Sequence, residues 1–402
     1  MVQLQHKYHC CGCNACVQKC PKHCISMSED DEGFLYPKID VTKCINCHLC
    51  EKVCPTINQF EPRSPKGYYA AYNPDENVRK DSSSGGVFSL MAEKIVSEGG
   101  MVFGASWNEK WQVAHTYAEK KDDLAAFRGS KYIQSIIGES YYQTERYLKE
   151  GRKVLFSGTP CQIAGLRLYL NKEYDNLLTV DFICHGVPSP GVFRTYLQED
   201  LFRRIENKNI CVPFVPDKGI LLPANSELKT IHFRDKCSGW KKFSFKYSFL
   251  HKGKETVVTE DLETNSFLKG FLSDLYLRPS CHKCPVKEFK SGADITIADY
   301  WGYVNTPDLT DDDKGISAVF VNTDKGYREY SNLKLNSFIT TYEKIKRING
   351  AVEHSASFPY REFFFYHKKT TFSRIVDKIT SKRFIDKVSR KLFLLTHKPE
   401  LQ

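Results

Sequence analysis

No apolar run in this 402-residue chain approaches the roughly eighteen positions that a spanning helix needs. The opening residues, Met1-Val2-Gln3-Leu4-Gln5-His6-Lys7, also lack the apolar core of an export signal. The expectation is a cytoplasmic protein with no spanning membrane segment. Neither a zinc-finger spacing nor an aromatic platform for single strands accompanies the basic residues, so no nucleic-acid partner is expected despite the formal charge of +10. Much of that charge is local, because Thr340 to Gln402 carries 14 Lys/Arg against 6 Asp/Glu. Cysteine, by contrast, is plentiful at 16 residues. In an exported chain that number would suggest disulfides. Here most of the cysteines recur at fixed short intervals, and no structural disulfide is expected.

Two runs share one spacing: Cys10-x2-Cys13-x2-Cys16-x3-Cys20-Pro21 and Cys44-x2-Cys47-x2-Cys50-x3-Cys54-Pro55. In a two-cluster ferredoxin, three thiolates on a tight loop hold three corners of a [4Fe–4S] cube, and the fourth cysteine of that run ligates the other cube. The spacing therefore predicts one cluster on Cys10, Cys13, Cys16 and Cys54, and a second on Cys44, Cys47, Cys50 and Cys20. Zinc sites usually pair two C-x2-C hooks instead. Cys11 and Cys24 fall outside the pattern and read as small apolar residues packed near the clusters. Ligated thiolates also carry charge, at about −2 for each oxidised cube, so the net charge falls well below the formal value.

The order of elements predicts an α+β or α/β chain. Residues 1–60 form the two-cluster ferredoxin-like module, folded largely by its ligands, and Glu61 to Gly67 reads as a linker. Residues 67–148 open with a strand at Tyr68–Tyr72. The turn Ser82-Ser83-Ser84-Gly85-Gly86 then leads into a helix with Val87, Leu90, Met91 and Ile95 on its apolar face, stopped at Gly99-Gly100 before the strand Met101–Gly104. Residues 149–320 begin with strand Lys153–Phe156, a helix carrying Ile163, Leu166 and Leu170, and strand Leu178–Ile183. A crossover of that length makes the two strands parallel and places Cys161 and Cys184 at their carboxyl edge, where open α/β sheets bind ligands. Between about 211 and 262, alternation at Phe243, Phe245, Tyr247 and Phe249 predicts an inserted β-hairpin turning at His251–Lys254. After the strand Asp294–Ala298 the chain is expected to become helical, ending in a basic tail over 321–402. There Ile375, Ile379, Val388, Leu392 and Leu395 lie opposite Lys378, Lys382, Lys387 and Lys391. Such a helix can contact a membrane surface or an acidic partner, or simply cover its own domain.

Four further cysteines, Cys161, Cys184, Cys281 and Cys284, make a complete set for a third cluster or for zinc. Cys161 alone could instead be a nucleophile, with a helix N-terminus to lower its pKa and His185 as base. The turn Ser83-Ser84-Gly85-Gly86 offers amides and hydroxyls to a phosphate, though it is also an ordinary helix cap. Gly129-Ser130-Lys131-Tyr132 adds a cation and a ring.

With these residues in order, the chain resembles the beta-subunit family of coenzyme F420 hydrogenases and dehydrogenases, in the form with an N-terminal two-cluster module. The resemblance is carried by Ser83–Gly86, Arg128–Tyr132, Phe156-Ser157-Gly158-Thr159-Pro160-Cys161-Gln162, Cys184-His185-Gly186-Val187-Pro188, Phe233-Arg234-Asp235-Lys236, and Cys281-x2-Cys284-Pro285 with Ala293–Thr296. It covers roughly residues 1–305, with the tail after about 320 outside it. Where many relatives carry Gly-Asp-Phe-Trp-Gly, this chain has Ala298-Asp299-Tyr300-Trp301-Gly302, one methyl more. The resemblance implies FAD, with Ser83, Ser84, Gly85, Gly86 and Lys131 as flavin contacts. It also implies a third [4Fe–4S] cluster on Cys161, Cys184, Cys281 and Cys284. The function it implies is a ferredoxin-coupled flavoprotein oxidoreductase that exchanges electrons with an external one-electron carrier or redox partner subunit and acts on a small-molecule substrate, F420 or another. The alternatives are a non-catalytic relay subunit of a larger complex, and a cysteine-nucleophile or zinc enzyme with an appended ferredoxin.

Overall fold

The computed structural model describes residues 6–212, 219–301, 309–357, 360–367 and 370–381, together with Lys387 and Lys391. Two short strands, β1 (Ile25–Glu29) and β2 (Leu35–Ile39), pair antiparallel in the N-terminal module. The remaining strands are β3 (Gly67–Tyr72), β4 (Met101–Trp107), β5 (Val113–Ala118), β6 (Val154–Ser157), β7 (Leu177–Phe182), β8 (Ser226–Asp235), β9 (Ser244–His251), β10 (Lys254–Asp261), β11 (Ile295–Asp299), β12 (Ser317–Val321) and β13 (Asn336–Ile339).

An eight-stranded sheet runs in the order β13-β3-β12-β11-β7-β6-β4-β5. Its centre, β4, β6, β7 and β11, is parallel, and antiparallel strands close both sides. Alternation along the strands divides the core. Met101, Phe103, Val154 and Phe156 face the helices Ser140–Lys149 and Pro160–Leu170, whereas Val102 and Leu155 face the helix Val87–Ser97. On that last helix Ser89 and Ala92 are buried with Val87, Met91 and Ile95, and the expected Leu90 is only partly covered. Gly99, at φ 76°, ends the helix in the left-handed conformation that glycine adopts freely.

Two sequence readings are corrected. The inserted hairpin is two strands of a three-stranded sheet, ordered β10-β9-β8. The β9–β10 turn is formed by Lys252 and Gly253, both at positive φ, the geometry that matches strand twist in a two-residue hairpin. The stretch after Ala298 is not simply helical, because β12 and β13 return to the main sheet. β12 is apolar on both faces, as a buried strand must be, and periodicity alone cannot distinguish such a run from a helix segment. The tail helix Phe372–Thr380 buries Ile375 and Ile379 against the chain's own core, in line with the reading that it covers its own domain. Lys382, Val388, Leu392 and Leu395 lie outside the described residues, as does Gly302. Lys387 and Lys391 are exposed. Among the described residues no helix is long and apolar enough to cross a membrane.

Candidate functional site

The two cysteine runs fold as copies of one loop. Gly12 and Asn14 in the first and Asn46 and His48 in the second all adopt positive φ, and each loop then enters a short helix, Ala15–Lys19 or Leu49–Lys52. Left-handed residues between the cysteines turn successive thiols toward one point. Cys20 shares a cavity with Cys44, Cys47 and Cys50. Cys24 lines it too, its sulfur 3.3 Å from that of Cys20. Cys54 stands instead with the first run. Burial, followed by the charges of Cys10, Cys54 and Cys50, pushes the Cys16 thiol up to about 12. Cys13 is also raised: a hydrogen bond with Cys11 works to lower it, but burial and the charges of Cys16 and Cys54 prevail.

A second cavity lies at the carboxyl edge of the parallel strands. Cys161 begins the helix after β6, Cys184 follows β7, and the short turn Pro279–Lys283 brings Cys281 and Cys284 over them. All four line this cavity, with Asp181, His185 and Cys11. Each thiol lies in the field of others. Burial and then Cys281, Cys161 and Cys284 raise Cys184, and burial with Cys284 and Cys161 raises Cys281 to about 12. Crowded buried thiols resist ionisation unless a cation holds them as thiolates. Among the described residues no three His, Cys, Asp or Glu side chains converge as a single bound ion requires.

Cys161 does not have the depressed pKa expected from its helix N-terminus. A hydrogen bond with Cys11 and burial push it well above the ordinary thiol value. His185 is not directed to it either, since its Nε2 pairs with Asp274 Oδ1 at 2.6 Å. Neither observation supports the nucleophile reading. Cys11 is buried in an apolar cluster with Cys13, as its reading as a packed residue expects, and it also lines the cavity of Cys161. Only Cys24 remains a neighbour of a single set.

The third group of predicted residues gathers beside β12. Ser83 Oγ accepts hydrogen bonds from the Ser130 amide at 2.5 Å and the Ser130 hydroxyl at 2.8 Å. Ser84 Oγ donates to the Ile316 carbonyl at 2.8 Å, and the Gly85 amide donates to Ser317 Oγ at 3.0 Å. Gly85 must lack a side chain, because a Cβ there would lie 2.4 Å from the Ala71 carbonyl oxygen. Gly86, at φ 77°, caps the helix Val87–Ser97. Lys131 reaches only the carbonyls of Arg128 and Gly129, and burial lowers its pKa to about 8.

Sequence reasoning left the neighbouring cations without a role. Lys236 Nζ donates to the carbonyls of Arg79, Ser84 and Lys314, and burial followed by the Arg234 charge lowers its pKa to about 7. Arg234 has a side chain 3 % exposed and pairs Asp299 through Nη1 at 2.5 Å, while its Nε and Nη2 have no hydrogen-bond partner among the described residues. Its guanidinium lies 4.5 Å from the Phe243 ring and 5.1 Å from that of Trp301, which stacks on Trp240. Phe233 to Lys236 was legible only as a landmark. The extra methyl of Ala298 packs against the apolar cluster that holds Ala318 and Phe320.

Comparisons with known proteins identify the family. The coenzyme F420 hydrogenase/dehydrogenase beta-subunit family matches in two parts, its N-terminal part over residues 68–139 and its C-terminal part over 151–346. Together these cover well over half of the chain, and the second runs past residue 320 into the stretch expected to lie outside the resemblance. A 4Fe-4S dicluster domain matches residues 9–58. Among curated relatives, an uncharacterized protein of Methanocaldococcus jannaschii is 25% identical over 42% of this chain and 54% of its own length. A coenzyme F420-dependent sulfite reductase of the same organism is 26% identical over 39% of this chain and 24% of its own. The chain thus spans about half and a quarter of these two. An uncharacterized ferredoxin from that organism is 40% identical over 12% of this chain and 60% of its length. A chain of the F420-reducing [NiFe] hydrogenase complex from Methanosarcina barkeri aligns with a TM-score of 0.42 at 16% identity, covering 81% of this chain and 95% of that one. The chain belongs to the coenzyme F420 hydrogenase/dehydrogenase beta-subunit family and carries an N-terminal 4Fe-4S dicluster domain.

Proposed function

We propose that this chain couples one-electron transfer through three [4Fe–4S] clusters to two-electron chemistry on an organic substrate at bound FAD. The observation that carries this reading is the convergence of Cys161, Cys184, Cys281 and Cys284 on one cavity, with Cys11 of the N-terminal module inside it. A cysteine set at that junction suits a cluster passing electrons between the module and the sheet. The ligands are Cys10, Cys13, Cys16 and Cys54 for the first cluster, Cys20, Cys44, Cys47 and Cys50 for the second, and the four convergent cysteines for the third.

The residues around Ser83 fit an anionic cofactor. Lys131 and Lys236 are half-buried and, among the described residues, donate to carbonyls alone, while two buried N–H groups of Arg234 have no partner among those residues. A flavin phosphate would satisfy these donors and offset the cost of burying the charges. Gly129, at φ 78°, faces open space, leaving room for a ligand beside the lysine. Ser83 to Gly86 hold the backbone in place for it. Bound FAD supplies hydride chemistry and can also exchange single electrons. The substrate is F420 or a comparable organic molecule, and the electron partner is an external carrier or a partner subunit.

Anaerobic measurement of iron, sulfide and flavin tests the proposal. About twelve irons and one flavin per chain are expected. Iron with no flavin, and none after reconstitution, would leave a relay subunit. About eight irons in the native chain would remove the third cluster. Cys281→Ser should lose about four irons while sparing the N-terminal pair.

A further inference from the structure

We propose that Arg278 is the bridge between the first N-terminal cluster and the third cysteine set, raising the reduction potential of the first and holding the two at a fixed separation. This rests on the cluster reading above. Arg278 is 0 % exposed, and all three guanidinium nitrogens are committed. Nε donates to the Cys10 carbonyl at 2.7 Å and Nη1 to Gln134 Oε1 at 2.8 Å, while Nη2 reaches the Leu35 carbonyl at 3.0 Å and the Cys10 sulfur at 3.5 Å. The guanidinium also stacks 4.2 Å from the centre of the Tyr36 ring. Its main chain belongs to the other side. The Arg278 carbonyl accepts from the Cys281 amide at 2.9 Å, and its own amide donates to the Val187 carbonyl at 2.9 Å.

One residue is thus bonded through its side chain to a ligand of the first cluster and through its backbone to a ligand of the third. Cys11 lies in the same gap, packed with Cys13 and lining the cavity of Cys161. The approach is built in on both sides. A side chain at Gly12 would meet Arg278 Nη1 at 2.9 Å, and one at Gly165 would meet the Cys13 sulfur at 2.9 Å. The step served is the passage of one electron from the reduced first cluster to the oxidised third, with no bond made or broken and no proton moved. A buried cation donating to a cluster thiolate favours the reduced, more negative state, because hydrogen bonds to sulfur and local charge set cluster potentials.

The test is an EPR-monitored redox titration of the full anaerobic chain. Arg278→Gln should lower the midpoint potential of one N-terminal cluster by at least the equivalent of a tenfold change in its reduction equilibrium, about 59 mV for one electron. Iron content should be unchanged. Arg278→Lys, which keeps the charge, should recover more than half of the shift and serves as the readout if the glutamine variant does not fold. Potentials in both variants equal to those of the native chain would overturn the proposal. Cys11→Ala should keep the full iron complement; loss of one cluster would make Cys11 a ligand and overturn the bridge. Failure of the cluster reading itself would appear separately, as missing iron in the native chain.

Discussion

Arg194 donates through Nη2 to Glu29 Oε1 at 2.5 Å, and the two side chains are only 8 % and 5 % exposed. The pair joins the helix Pro190–Glu206 to β1, and so fastens the cysteine module to the sheet domain. Arg194→Met leaves the Glu29 carboxylate buried without this partner, a change that costs about 3–5 kcal/mol when one member of a buried pair is lost. The expected result is accelerated proteolysis in the linker at residues 61–66 before any change in global unfolding. Arg194→Met with Glu29→Leu should recover much of the loss.

Gly33 sits at φ 85°, where an added Cβ would lie 2.6 Å from the Gly191 backbone and from Ser189 Oγ. Both the left-handed backbone and the contact oppose any side chain. Gly33→Ala should destabilise the docked module by at least about 2 kcal/mol, measured by denaturant unfolding.

Binding of FAD should take up protons. Burial lowers Lys131 to about 8 and Lys236 to about 7 in the free chain, and a neighbouring phosphate would raise both. Affinity should therefore fall as pH rises above these values. Calorimetry in buffers of different ionisation enthalpy near pH 8.5 should show uptake of up to about two protons, reduced in Lys131→Met and in Lys236→Met.

His115 gives the fold an acid limit. Its ring stacks on Phe156, Nε2 donates to the Ser157 carbonyl at 2.9 Å, Ser135 Oγ donates to Nδ1 at 3.1 Å, and burial lowers its pKa to about 4. The unfolded chain binds the proton more readily, so stability is full above about pH 6.5 and falls as pH drops toward 4. The loss reaches about 3 kcal/mol. In His115→Gln that part of the pH slope should vanish in urea titrations.

The N-terminal dicluster module was legible because the spacing of its two cysteine runs is local, and the parallel β6–β7 pair because a crossover of fixed length allows one arrangement. β12 and β13 were hidden for the opposite reason. Their partner β3 lies more than two hundred residues upstream, and nothing local distinguishes an apolar run in a sheet centre from a helix segment. Arg278, Arg234 and Lys236 carry no motif of their own. Each acquires its role only from residues that the fold brings beside it, as when Arg278 meets Cys10 across 268 positions.

The repeated loops of the module are alike in backbone and opposite in surroundings. Asn14 is tied to the Gly138 carbonyl of the sheet domain and Cys13 beside it is buried, while their counterparts His48 and Cys47 lie at the surface, His48 paired with Glu51 and Cys47 exposed. A duplicated fold thereby acquires a wet end and a dry end. Brief exposure to air should bleach the outer cluster first, so the module would fail from the outside inward, losing contact with its partners before the redox centres of the sheet domain are harmed.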